Sequence, residues 1–269
     1  MRQSHERIRL ALGADQRLVD RNRGLRRVDA VVFPELLDGG YAALERGRGT
    51  HTAGDAFWQS MAEASERLAT TIVAGSVRLS GADGHATNTS LVFSGGRLRH
   101  RYDKIHLFRP AGDVRFFTPG RSAGTFALPG SRRRRAAVIL CYDLRFPELV
   151  RGLALQGAEV LFVPARWPAT RDLAWRTLLR ARAIENQLFV VGCNAPDREG
   201  GRSYVYGPAG EELFAGRLLP RLKSVRVVLE MRLLDRARRL HRSLGEAVLL
   251  KETAFPRWMR DGSMSRRRP

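Results

Sequence analysis

The chain has 269 residues, 43% of them hydrophobic, which suffices for a sizeable core in one large domain or two small ones. No apolar run approaches the roughly 18 residues that a membrane span needs, and the charged opening MRQSHERIRLALGADQR lacks a signal-peptide stretch. A net charge of +20 points to attraction for polyanions or anionic substrates, yet no zinc-finger spacing, RNA-binding aromatic signature or heptad-backed basic helix accompanies it.

Of the 47 basic residues only Lys104, Lys223 and Lys251 are lysines, a skew compatible with a GC-rich coding sequence. The basic residues are spread along the chain, with local runs at 132–135 and 266–268. We read them as solvated surface and as a field around a pocket, not as a nucleic-acid site. Cys141 and Cys193 are too few for a disulfide framework, so free thiols in a reducing cytoplasm are expected.

In chain order, the first strand-length apolar run is Ala30–Phe33, closed by Pro34 and the turn DGGY. Phe57–Ala69 places Phe57, Met61, Ala64 and Leu68 on one helical face. Strand-like runs follow at Thr71–Val77 and Thr89–Phe93, the latter predicted to form a hairpin with Leu98–Tyr102. Ala136–Cys141 is a further buried strand. Pro147–Gln156 has helical period, Val160–Pro164 is a strand, Trp175–Asn186 a helix, and Leu188–Gly192 a strand. Ser203–Tyr206 and Glu212–Phe214 make a second hairpin. Turns at Gly81–Gly84, Ser94–Gly96, Pro119–Gly120, Pro129–Gly130 and Pro208–Gly210 punctuate these elements. Strands alternating with helices predict an α/β domain, with the hairpins adding antiparallel pairs.

Cys141 ends its strand just where polar and turn-forming residues begin, in AAVILCYDLRFPEL. A thiol there is either a small hydrophobe capping a core strand or a nucleophile at a strand tip. A nucleophilic cysteine needs a base, a group for the oxyanion and a pocket that excludes bulk water. Of the six histidines only His106 lies in a suitable segment, so a Cys–His pair is not favoured. Glu35 follows a buried strand, as Cys141 does, and a desolvated carboxylate suits general-base work near neutrality. Lys104 keeps an ammonium in a chain that otherwise uses guanidinium, which suits lowering the pKa of a thiol and binding an oxyanion.

Together these segments resemble the nitrilase, or carbon–nitrogen hydrolase, superfamily. FPELLDGGY is similar to its glutamate motif, RYDKIHLF to its lysine motif and CYDLRFPEL to its cysteine motif. NTSLVFSGGRLRHRYDKIHLF resembles the family's hairpin, FFTPG lies between lysine and cysteine as it does there, and ARWPATRDLAWRTLLRARAIENQLFVVGCN resembles the segment after the cysteine. The likeness is nearest to the omega-amidase-like branch. It implies a four-layer α-β-β-α sandwich with mixed sheets, residues 1–250 as one hydrolase domain and 251–269 as a basic C-terminal extension. It implies a cytoplasmic homodimer and no metal or organic cofactor.

The resemblance also implies roles. Cys141 would attack an amide or nitrile-type carbon and form a thioester. Glu35 would serve as base and proton donor. Lys104 would hold the oxyanion together with the backbone N–H of Tyr142. The substrate implied is a small amide bearing a carboxylate, such as 2-oxoglutaramate or succinamate. Arg145 and Arg166 are candidate partners for that carboxylate, and Trp167 a candidate pocket wall. N-carbamoyl amino acids, deaminated peptide amides or nitriles remain alternative substrates, and a catalytically weakened polyanion-binding protein remains an alternative of another class. Cys193 and Glu185 read as structural, a buried thiol and an ion-pair partner.

Two departures stand out. Asp113 occupies the place of a second glutamate and is one methylene shorter, which is expected to impair efficiency. Ile8–Leu12 matches the family's opening strand weakly, so the first strand is expected to be short, displaced or absent, leaving an open sheet edge. The stretch Leu233–Leu250 matches family endings only loosely.

Overall fold

The structure, a computed structural model, describes residues 6–20, 25, 27–128, 134–196, 199–218, 224–241 and 243–246. Arg132 and Arg133 of the first basic run, the Pro129–Gly130 turn, Lys223, Lys251 and the 251–269 extension lie outside these residues.

Among the described residues, fourteen strands, β1 to β14 in chain order, form two sheets. The first contains β1 (Arg7–Leu12), β2 (Ala30–Val32), β3 (Thr50–His51), β4 (Thr71–Val73), β5 (Val77–Ser80), β6 (Ala86–Ser94), β7 (Arg97–Asp103) and the last strand, β14 (Val225–Glu230). The second runs in the order β13 (Glu212–Gly216), β12 (Ser203–Tyr206), β11 (Phe189–Asn194), β10 (Val160–Ala165), β9 (Arg135–Val138), β8 (Thr125–Ala127). Both sheets are mixed: β1, β2 and β4 pair in parallel, as do β9, β10 and β11, and the hairpins β6–β7 and β12–β13 add antiparallel ladders.

The main core lies between the sheets. Leu10, Val32 and Val92 of the first sheet meet Val138, Phe162 and Val191 of the second. The outer face of the first sheet is covered by helix α3 (Ala56–Arg67), following α1 (Arg17–Asp20) and α2 (Gly40–Glu45). Phe57, Met61 and Ala64 of α3 pack on Val31, Ile72 and Leu91. After the one-turn α4 (Asp113–Phe116), α5 (Pro147–Leu155) and α6 (Asp172–Asn186) cover the second sheet. Trp175 and Leu179 of α6 lie so close to Gly192 that a Cβ there would stand 2.5 Å from Leu179. Helix α7 (Met231–Leu240) follows β14. The result is the four-layer α-β-β-α sandwich. No described helix is long and apolar enough to cross a membrane.

Four expectations change. The first strand is complete: β1 pairs with β14 over six residues and with β2 on its other side, so it leaves no open edge. RIRLAL buries only alternate positions, Ile8, Leu10 and Leu12, toward the inter-sheet core, which is why it reads weakly. The run Thr71–Val77 is two strands, because Gly75 turns at φ +58 and a Cβ there would stand 1.9 Å from the Pro34 carbonyl oxygen. The strand before Cys141 stops at Val138, and Cys141 itself opens a short 3₁₀ turn, Cys141–Arg145. Arg134 of the basic run is not free surface: it lies 2.8 Å from both Glu6 and Glu159.

Candidate active site

Two of the three site segments leave their strands through a left-handed residue. Leu36, after Glu35, has φ +46, and Cys141 has φ +45. Neither is glycine, so both carry backbone strain that their surroundings must hold. At Cys141 the restraint is Asp143. Its buried carboxylate accepts the Leu140 N–H (3.1 Å), the Tyr102 hydroxyl (2.7 Å) and the His106 N–H (2.8 Å), and lies 2.8 Å from His106 Nδ1. One carboxylate thereby ties the cysteine turn to the end of β7, from which Lys104 projects.

Glu35, Lys104 and Asp113 are almost wholly buried, and Cys141 is 9% exposed at the floor of a cavity of about 300 Å³. Lys104 Nζ lies 2.8 Å from Glu35 Oε1 and 2.9 Å from Asp113 Oδ2. Asn88 Nδ2 also donates to Glu35 Oε1 (2.9 Å), and the Asn88 carbonyl accepts the Lys104 N–H (2.9 Å). The Arg166 N–H donates to Glu35 Oε2 at 3.1 Å. Oε1 therefore has two donors and Oε2 one, leaving Oε2 a lone pair for another proton.

Burial, and next the charge of Glu35, push the Cys141 thiol well above its ordinary pKa, while Lys104 and the Arg166 N–H pull it down. Burial and the neighbouring Glu35 carboxylate thus favour the thiol over the thiolate at rest. Burial alone would lower Lys104, but the charge of Glu35, with Tyr41, Cys141 and Asp113 behind it, holds the ammonium well above its usual range. Tyr41 donates to Asp113 Oδ1 at 2.6 Å, and burial raises its own pKa.

The walls are Tyr41, Phe108, Tyr142, Arg145, Trp167 and Arg171. Trp167 is 4% exposed and its backbone N–H donates to Asn194 Oδ1 at 2.8 Å. Arg145 is exposed, with its guanidinium carbon 5.1 Å from the Trp167 ring centre. Arg166 differs from expectation. Its guanidinium donates to the Glu35 and Leu36 carbonyls (2.9 and 3.0 Å) and to Glu199 (3.0 Å). It braces the glutamate loop, so its fork is not open to a substrate carboxylate.

His106 serves Asp143 and stacks on Phe146, with ring centres 3.5 Å apart, and makes no pair with Cys141. Cys193 is fully buried, and burial raises its thiol. Glu185 pairs with Arg182 at 3.0 Å. Among the described residues no cluster of three or more His, Cys, Asp or Glu could hold a metal. Asn88, Tyr41, Asp143 and Arg171 were not picked out from the sequence. Asn88 had a signal, a polar residue within a buried strand, and Tyr41 stood inside the glutamate motif.

A thiol, an ammonium and two carboxylates closed together at the floor of an aromatic pocket, on an α-β-β-α sandwich, define a class: hydrolases of carbon–nitrogen bonds. The carbon-nitrogen hydrolase family pattern matches residues 17–217. The chain is 37% identical over 194 residues to the "Hydrolase in agr operon" of Staphylococcus lugdunensis, covering 68% of this chain and 80% of that protein. It is 33% identical over 196 residues to the 2-oxoglutaramate amidase of Bacillus subtilis (strain 168), covering 71% and 74%. It is 36% identical over 205 residues to the omega-amidase YafV of Escherichia coli (strain K12), covering 74% and 77%. Among solved structures, XC1258 of Xanthomonas campestris, a CN-hydrolase superfamily protein, superposes with a TM-score of 0.75 at 25% identity, covering 93% of this chain and 98% of that one. The chain belongs to the carbon-nitrogen hydrolase family, and it is a hydrolase acting on carbon–nitrogen bonds.

Proposed function

We propose that the enzyme is an omega-amidase-like amidohydrolase, cleaving the terminal amide of a small carboxylate-bearing substrate with release of ammonia. The observation that carries this reading is Cys141 at the floor of a small cavity whose walls hold arginine, with the buried Glu35–Lys104 pair, 2.8 Å apart, beside it. Similarity to a 2-oxoglutaramate amidase and an omega-amidase supports the substrate class.

The sulfur attacks the amide carbon while its proton passes to Glu35, and the carbonyl π electrons move to oxygen. Lys104 stabilises that oxyanion, with the Tyr142 N–H as second donor. A protonated thiol beside a carboxylate suits this order, because the thiolate forms only as it attacks. Glu35 returns the proton to nitrogen, the C–N bond breaks, and ammonia leaves a thioester on Cys141. Water then attacks the thioester and gives its proton to Glu35. The C–S bond breaks, sulfur recovers the proton, and a carboxylic acid departs.

The test is ammonia release from 2-oxoglutaramate and succinamate. Wild-type turnover is expected, with Cys141→Ala losing at least about 10⁴-fold. Trapping with hydroxylamine should yield the hydroxamate of the acyl group. Ammonia release that survives Cys141→Ala would overturn the mechanism, and turnover of nitriles or N-carbamoyl amino acids in place of these amides would overturn the substrate class.

A further inference from the structure

Three arginines line the cavity, and their guanidinium groups are in different states. Arg166 is spent on Glu35, Leu36 and Glu199. Arg145 and Arg171 are both exposed, and neither makes a hydrogen bond or ion pair through its guanidinium among the described residues. Each instead lies over an aromatic wall: Arg145 5.1 Å from the Trp167 ring centre, Arg171 5.7 Å from that of Phe108.

Arg171 is held in place from its main chain. It ends the short turn Ala169–Arg171, and its carbonyl accepts the Trp167 Nε1–H at 3.1 Å, so Trp167 ties the two cationic sides together. Phe108, beneath Arg171, donates its N–H to Asp113 Oδ2 at 2.8 Å, which links this side of the wall to the floor. The acids nearest in sequence and in the cavity are engaged elsewhere. Asp172 takes the Tyr204 hydroxyl at 2.7 Å, and Glu199 takes Arg166 at 3.0 Å.

A guanidinium stacked on a ring keeps its N–H edge free for a ligand and loses little freedom on binding. We infer that Arg171 is a substrate-binding residue: with Arg145 it forms a two-sided clamp for the carboxylate of the substrate, and it sets the preference for anionic over neutral amides. This deepens the amidase reading and rests on it. The anionic end is anchored among the cationic walls, and the neutral amide is delivered to the carboxylate-rich floor.

The experiment compares wild type, Arg171→Gln and Arg171→Lys on succinamate and on butyramide, which has the same length without the carboxylate. For succinamate, Arg171→Gln should raise KM by about 10- to 100-fold, the loss of one charge-assisted hydrogen bond, with kcat within about threefold. For butyramide both constants should stay near wild type, and Arg171→Lys should restore part of the succinamate KM. Calorimetry with levulinate, the methyl-ketone counterpart of succinamate, should show the same weakening in Arg171→Gln without relying on turnover. An unchanged KM and unchanged levulinate affinity would overturn the assignment, as would equal losses on both amides. Wild type turning over butyramide as well as succinamate would instead overturn the carboxylate requirement of the proposed substrate class.

Discussion

Asp113 reaches Lys104 directly: Oδ2 lies 2.9 Å from Nζ, although aspartate is one methylene shorter than the glutamate expected in that place. The main chain makes up the difference. Gly112, at φ +79, starts a one-turn helix that carries Asp113 inward, and Tyr41 and the Phe108 N–H hold its carboxylate. Asp113 is 0% exposed, and Tyr41, Lys104 and the Phe108 N–H close on its carboxylate.

Lengthening that side chain should therefore harm the enzyme. Asp113→Glu overfills a packed site and is expected to lower kcat/KM by about 10-fold. Asp113→Asn keeps the shape and removes the charge that helps hold Lys104, with a loss of about 100-fold. Steady-state ammonia release measures both. A gain in Asp113→Glu would show that the shorter residue is a defect.

Asp143 does not line the cavity, yet it should matter for stability and rate. Asp143→Ala strips the buried Tyr102 hydroxyl and two backbone N–H groups of their acceptor, at a cost of roughly 3 kcal/mol. The left-handed turn at Cys141 loses its restraint with them. Urea unfolding should show the destabilisation. In addition, kcat should fall at temperatures where the variant is fully folded, a fall that a purely structural role would not give.

The fold should respond to pH through two histidines of opposite sign. Burial alone would lower His51, but its contacts with Asp38 and Asp55 outweigh it and raise the pKa. Its stabilisation is complete below the unfolded value of about 6.5 and is lost as pH rises through the raised value. His100 is pushed by burial from 6.5 down to about 4. Between those values the unfolded chain binds a proton that the folded chain refuses. Stability therefore falls as pH drops from 6.5 to 4, by on the order of 3 kcal/mol. Melting temperatures from pH 4 to 9 should show both limbs. His51→Gln should flatten the alkaline limb and His100→Gln the acid limb.

Gly75→Ala tests the packing behind the glutamate. The new methyl group would collide with the Pro34 carbonyl at 1.9 Å in a backbone conformation that L side chains rarely adopt. A loss on the order of 3 kcal/mol is expected, with kcat falling because Pro34 precedes Glu35. Thermal melting and ammonia release check the two effects.

Much of this was legible in the chain because the relevant signals are local. Phe57, Met61 and Ala64 announced α3 through their spacing, and the Glu35, Lys104 and Cys141 motifs announced the pocket. What escaped depended on neighbours distant in sequence. β1 turns only alternate positions toward the inter-sheet core, and its strength lies in the ladder to β14 more than two hundred residues on. The run Thr71–Val77 is broken at Gly75, whose close neighbour, the Pro34 carbonyl, no window around Gly75 contains. Arg166 read as a candidate carboxylate partner, but Glu35, Leu36 and Glu199, all distant in sequence, occupy its guanidinium. Asp143 gave no signal, because its partners Tyr102 and His106 lie on another segment.

The floor of the cavity sets two carboxylates, Glu35 and Asp113, against a single ammonium, Lys104. On the proposed reaction the substrate arrives there with an uncharged amide and leaves as an acid that ionises at once. Hydrolysis thus creates a third negative charge where two already stand, and like charges a few ångström apart in a partly dry site repel by a few kcal/mol. The reaction dismantles the fit that admitted its own substrate. The repulsion weakens binding of the finished dicarboxylate and so favours its release.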